Sequence, residues 1–117
     1  MNGQVVIYHN PRCSKSRATL KILQAHGIQP KIIEYLKTPL SRDEITNLIT
    51  MLNISPRNLL RKGESVYKVL DLQNKNISDA NIVSAIADNP ILMERPIVVN
   101  GGKAKIGRPP EQVLELF

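Results

Sequence analysis

The apolar residues of this chain switch between a period of two and a helical period, and the switches mark out its elements. Gln4–Tyr8 (QVVIY) is a short β-branched run that predicts a buried strand, broken at His9-Asn10-Pro11 because proline cannot continue a central strand. From Ser14 onward Ala18, Leu20, Ile22, Leu23 and Ala25 fall at helical spacing, and Gly27 stands where a helix C-terminal glycine belongs. Lys31–Tyr35 (KIIEY) predicts a second strand, so the first third reads as a βαβ unit with a right-handed parallel crossover.

The middle of the chain is helical. Ser41 with Glu44 is a capping-box pattern ahead of Ile45, Leu48, Ile49 and Leu52. Ser55-Pro56 predicts an N-cap and first helical position for a short helix through Leu59-Leu60. Ser78 predicts the cap of a helix carrying Ile82, Val83 and Ile86, ended at Asn89-Pro90. Ile97–Val99 is a third strand, Asn100-Gly101-Gly102 a hairpin turn and Lys103–Ile106 the returning strand. Pro109-Pro110 then opens a terminal helix with Val113, Leu114 and Phe117. The first and last helices can cover one face of the sheet between them. The order β-α-β, helices, β-hairpin, α predicts an α/β chain of thioredoxin-like arrangement: one domain over 1–117, with a four-stranded mixed sheet and a helical insertion at about 41–93 between the second and third strands.

Composition narrows the classes. With 117 residues, 42% apolar and 22% charged, a folded single core is expected and wholesale disorder is not. No apolar run approaches the roughly 18 residues of a membrane span. A cytoplasmic protein is expected, because the first ten residues lack the pattern of a secretory leader and the single cysteine does not suit a small secreted domain. No His/Cys cluster is present for a metal site, and no bound cofactor is expected. Aromatic residues make up only 3%, so stacking platforms for single-stranded nucleic acid are lacking and a nucleic-acid partner is not expected. The net charge of +6 is concentrated: residues 1–37 hold six Lys and Arg against Glu34 alone. The excess cationic charge therefore surrounds the one cysteine, either as solvated surface or as an attractor of anions.

That cysteine, Cys13, sits in HNPRCSKSR between the first strand and the first helix. There the helix dipole and free backbone N–H groups favour thiolate over thiol and also make an oxyanion pocket. His9, Arg12, Lys15 and Arg17 are read as adding positive charge, and the Ser16 hydroxyl as a donor to the sulfur or to a bound anion. A dithiol motif is excluded because Ser16 occupies the position a second cysteine would need. A tyrosine-phosphatase loop is excluded too: it needs five residues between cysteine and arginine, and the position that would match is Thr19. Arg61 (LLRK), Arg95 (ERPIVV) and Arg108 (GRPP) lie next to helix or strand ends, where a rigid backbone can aim a guanidinium fork at a tetrahedral oxyanion.

With Tyr8–Arg17 (YHNPRCSKSR), Leu59–Lys62 (LLRK), Arg95–Val99 (RPIVV) and Gly107–Glu111 (GRPPE) in order along it, the chain resembles the glutaredoxin-coupled arsenate reductases, and most closely their short, often uncharacterised members. The resemblance implies a thioredoxin-like fold and reduction of arsenate to arsenite through a covalent cysteine–arsenic intermediate, with glutathione as co-substrate and glutaredoxin as partner. It implies Cys13 as nucleophile, His9 as the histidine that favours its ionised form, and Arg61, Arg95 and Arg108 as oxyanion ligands. It puts Pro96 at the cis-proline position of such folds and explains a lone cysteine, because the resolving thiols come from outside the chain. A monomer is expected. The alternatives are a thiol-switch regulator of the type that binds RNA polymerase, whose usual C-x-x-C Ser16 removes, and a glutathione-dependent thiol transferase that needs no oxyanion.

Overall fold

The computed structural model describes residues 4–117, which divide into two compact units: residues up to Thr38 together with Arg95–Phe117, and Pro39–Glu94. The first unit is built on strands β1 (Val6–Tyr8), β2 (Lys31–Ile33), β3 (Ile97–Asn100) and β4 (Lys103–Ile106), in the spatial order β2-β1-β3-β4. β1 pairs parallel with β2, as the crossover through helix α1 (Ser14–Ala25) requires, and antiparallel with β3, which pairs antiparallel with β4. In this register Ile7 lies opposite Val98, so both point to one face. Leu20 and Leu23 of α1 and Val113 and Leu116 near the C-terminus cover that face, as the sequence predicts, and bury Ile7, Leu23, Val98 and Val113 completely.

Local signals end the elements where they were read. The Gly27 amide bonds to the Gln24 carbonyl and the Ile28 amide to the Leu23 carbonyl, with Gly27 at φ +75°: a Schellman closure of α1 that a Cβ would strain. The β3–β4 hairpin turns through Gly101 at φ +64°, the left-handed first position that primed hairpin turns need.

Several boundaries differ from expectation. β1 begins at Val6, and β2 stops at Ile33 because the Glu34 carbonyl turns to accept the Lys37 and Thr38 amides. The terminal helix is a 3₁₀ segment, Pro110–Leu116. Pro109 and Pro110 remove two amide donors, and the Gln112 and Phe117 amides bond three residues back.

In the second unit, α2 (Arg42–Leu52) opens on a full capping box: the Glu44 amide donates to Ser41 Oγ and the Ser41 amide to Glu44 Oε1. After it come a 3₁₀ turn at Pro56–Leu59, α3 (Ser65–Val69), α4 (Asp79–Asp88) capped by Ser78, and a 3₁₀ turn at Pro90–Leu92. Ser55 precedes its proline as expected but makes no side-chain cap. α2 and α4 pack together and bury Ile45, Leu48 and Ile49 on one, Ile82, Val83 and Ile86 on the other. No described helix is long and apolar enough to cross a membrane.

Candidate active site at one end of the sheet

Topology alone brings four loops together. β1, β2 and β4 run one way and β3 the other, so the ends of β1, β2 and β4 and the start of β3 share one end of the sheet. His9 to Cys13 leave β1 there, Glu34 leaves β2, Arg95-Pro96 enters β3, and Gly107-Arg108 leaves β4.

The cysteine loop is tied by its own polar groups. The His9 amide extends the sheet by donating to the Ile33 carbonyl, 2.8 Å away. Asn10 then makes an Asx turn, its Oδ1 accepting the Arg12 amide at 3.0 Å, while the Cys13 amide donates back to the Asn10 carbonyl. Arg17 Nη1 donates to the Pro11 carbonyl at 2.9 Å and closes the loop from the first turn of α1. Cys13 is the N-cap of α1 in extended conformation, and its carbonyl accepts the Arg17 amide. Its side chain caps nothing, which leaves a half-buried sulfur at the positive end of the helix.

Two readings of this loop change. Ser16 is completely buried, and its Oγ accepts the Asn10 amide at 3.0 Å and shares a 2.6 Å hydrogen bond with His9 Nδ1. The hydroxyl thus faces inward and fixes the loop. His9 is buried as well, and burial pushes its pKa below the ordinary 6.5, against the carboxylate of Glu34 and with the guanidinium of Arg17. Burial thus favours the uncharged ring, so His9 adds less to the local positive field than its sequence context suggests. Tertiary burial overrides that context.

Arg108 reaches the sulfur. Its Nη2 stands 3.9 Å from Cys13 Sγ, and its Nε donates to the Arg95 carbonyl at 2.9 Å, which fixes the fork against the start of β3. Arg95 itself has Nε and Nη1 buried with no hydrogen-bond partner. Buried guanidinium nitrogens with no acceptor are costly until an anion meets them. The Arg95-Pro96 and Arg108-Pro109 bonds are both cis. Gly107 is a residue that sequence reasoning passed over: a Cβ there would come within 2.6 Å of Thr19 Oγ1 and 2.8 Å of Pro96 Cγ. Only glycine lets the end of β4 pack this closely on α1. The GRPP motif was the available signal, but it drew attention to its arginine.

Arg61 behaves differently. In the Pro39–Glu94 unit its Nε pairs with Glu64 at 3.2 Å and its Nη1 with Glu94 at 3.5 Å. An antiparallel bridge between Leu60 and Met93 sets that geometry, with the Arg61 amide on the Leu92 carbonyl and the Glu94 amide on the Leu59 carbonyl.

Residues 8–116 match the ArsC family. The chain belongs to the ArsC family. It is 51% identical over 117 residues to the YfgD protein of Escherichia coli K12, which is described as uncharacterized, with 99% of this chain and 98% of that one covered. It is 50% identical to a protein named arsenate reductase from Haemophilus influenzae, covering 97% of this chain and 98% of that one. A solved structure of an arsenate reductase from Vibrio cholerae superposes with a TM-score of 0.95 at 49% identity, covering 97% of each chain. The four-stranded mixed sheet with its helices is the thioredoxin-like fold of this ArsC family.

Proposed function

We propose that this protein reduces arsenate to arsenite, with Cys13 as nucleophile, Arg95 and Arg108 as oxyanion ligands, and glutathione and glutaredoxin as the source of electrons. The observation that carries the reading is the guanidinium of Arg108 at 3.9 Å from the only sulfur nucleophile; Arg95, whose carbonyl accepts from Arg108 Nε, adds two buried donors without partners. Fixed donors in a partly desolvated site favour a tetrahedral anion and the charge that builds up when sulfur attacks it. Relatives named arsenate reductase at 50% identity support the same reading.

The chemistry balances as follows. The Cys13 thiol and arsenate condense: a sulfur–arsenic bond forms, and one arsenate oxygen leaves as water with the thiol proton and one of the acid's own. The sulfur of glutathione then attacks Cys13 Sγ. The electron pair of the sulfur–arsenic bond stays on arsenic, which falls from As(V) to As(III), and arsenite departs with the thiol proton. Two sulfurs have each given one electron, and a mixed disulfide remains. A glutaredoxin thiol takes over the glutathionyl group by exchange and returns Cys13 as a thiol. His9 and Ser16 act as positioning residues that hold the loop, and Arg61 is kept outside this pair of ligands because two carboxylates already engage it.

The test is a coupled assay with arsenate, glutathione and glutaredoxin. Cys13→Ser abolishes turnover while the folded circular dichroism spectrum is retained. Transfer of glutathione to protein thiols that survives Arg95→Ala and Arg108→Ala, with no arsenate turnover in the wild type, would replace this reading with that of a thiol transferase.

A further inference from the structure

A pocket of about 220 Å³ opens beside the cysteine loop at the end of β2, lined among others by His9, Pro11, Arg12, Glu34, Leu36 and Lys37. We infer that this pocket is the binding site for the thiol co-substrate, a small peptide thiol with two carboxylates and one ammonium group. The inference rests on the arsenate-reductase reading for the identity of the thiol, and on the pocket's own chemistry for its place.

The charges match in kind and number. Arg12 and Lys37 offer two cations on exposed side chains and Glu34 one anion on a half-buried one: the Lys37 Nζ–Glu34 Oε1 pair is 3.4 Å long, with the lysine side chain 79% exposed. Such a pair holds its partners weakly in solvent and gives way to a ligand that satisfies both ends. Glutathione carries two carboxylates and one ammonium, the complement of this set. Leu36, 42% exposed, and Pro11 supply the apolar wall on which a peptide thiol's methylenes can lie.

Position adds a second argument. In the sheet order β2-β1-β3-β4 the pocket lies on the β2 side of the cysteine loop, and Arg95 and Arg108 lie on the β3 and β4 side. Displacement at sulfur proceeds in line, with the incoming sulfur opposite the departing atom. Arsenic held at the arginines leaves on one side of Cys13, and a thiol anchored at Arg12, one residue before it, arrives from the other.

Two measurements decide the matter. The first titrates isotope-labelled protein with S-methylglutathione, which cannot exchange disulfides. Amide shifts should move at His9, Asn10, Arg12 and residues 34–37, and Arg12→Ala/Lys37→Ala should weaken that binding by about tenfold, the order expected for two exposed charge-assisted contacts. The second is steady-state turnover, in which the double variant should raise the KM for glutathione about tenfold and leave the KM for arsenate within about twofold. Shifts confined to Arg95 and Arg108, no shifts at all, or an unchanged KM for glutathione in a protein that does turn over arsenate would overturn the site. Binding in the pocket by a protein that does not reduce arsenate would keep the site and remove the arsenate reading.

Discussion

In Pro39–Glu94 the guanidinium of Arg57 donates to the carbonyls of Leu72, Asn74 and Ile77, and that of Arg61 is held by Glu64 and Glu94. In the sheet unit Arg95 keeps two buried nitrogens without partners, and Arg108 spends one nitrogen on a carbonyl and turns another toward sulfur. The same side chain thus serves as mortar in one region and, in the function proposed above, as a receptor in the other. The difference lies in what each fork already touches. An arginine that crosses from a short 3₁₀ turn to a loop satisfies carbonyls that helices do not, and its charge is spent locally. Arg95, entering β3 at a sheet end with two buried donors open, gains most from an anion that comes and goes.

The largest effect expected from this contrast is on turnover. Arg95→Ala should lower kcat/KM for arsenate by about 10²–10³-fold, the usual cost of removing a preorganised donor to developing charge. Arg61→Ala should cost about tenfold or less, because two carboxylates already offset its charge. Equal losses for the two variants would break the contrast. Arg57→Ala inverts it: about 1–3 kcal/mol of stability lost, from three backbone acceptors deprived of a charged donor, with no change in KM for arsenate. Urea unfolding of each variant beside its kinetics separates the two roles.

Packing at the sheet end gives the next effect. Gly107→Ala places a methyl against Thr19 Oγ1, which is held by its bond to the Lys15 carbonyl, and against the Pro96 ring. Neither neighbour is the free tip of a long side chain, so α1 and the end of β4 must part, at about 1–3 kcal/mol. Arg108 follows Gly107 directly, so a raised KM for arsenate should accompany the loss. Ser16→Ala should cost about 1–2 kcal/mol, since the half-buried Asn10 amide and the buried His9 Nδ1 lose a shared partner. A thermal midpoint that moves with Gly107→Ala and not with Ser16→Ala would show that the loop is held by packing rather than by its hydrogen bonds.

What could be read ahead of the structure was whatever the chain states within a few residues. The Ser41–Glu44 box, the Ser78 cap, the Gly27 closure of α1 and the Gly101 turn are each decided by neighbours in sequence, and each stands where it was read. The convergence of Cys13 and Arg108, 95 residues apart, was legible only through strand order, and the order of elements supplied it. Burial was not legible. Ser16 looks like a free hydroxyl and is sealed inside; His9 looks cationic among basic neighbours and is desolvated; Arg61 looks like a third ligand, and its Glu94 partner lies 33 residues away. Burial and partners of this kind come from the folded chain and not from the local residue pattern: Ser16 meets His9 and Asn10 across the loop, and Arg61 meets Glu94 33 residues on. The Gly107 approach failed for the same reason, because its neighbours Thr19 and Pro96 are remote in sequence.

The smallest effect follows from His9 and belongs to the sheet unit alone, for residues 39–94 contain no histidine. Burial lowers the His9 pKa below 6.5, so the unfolded chain takes up a proton at a pH where the folded chain still refuses it. The unfolded state then binds more protons, and stability must fall as the pH drops. The contribution is complete above about pH 6.5, begins to fade below it, and goes on fading as the pH passes through the folded-state value. Ring resonances of His9 followed by NMR should therefore titrate below 6.5, and unfolding free energies should decline from about pH 7 to about 5.5 more steeply than in His9→Gln. The neighbours sharpen the test. Glu34 raises this pKa and Arg17 lowers it, so Glu34→Gln should push the midpoint further down and Arg17→Gln bring it up. A midpoint at or above 6.5 would mean that the Glu34 carboxylate outweighs burial, and that the ring beside Ser16 is a cation after all.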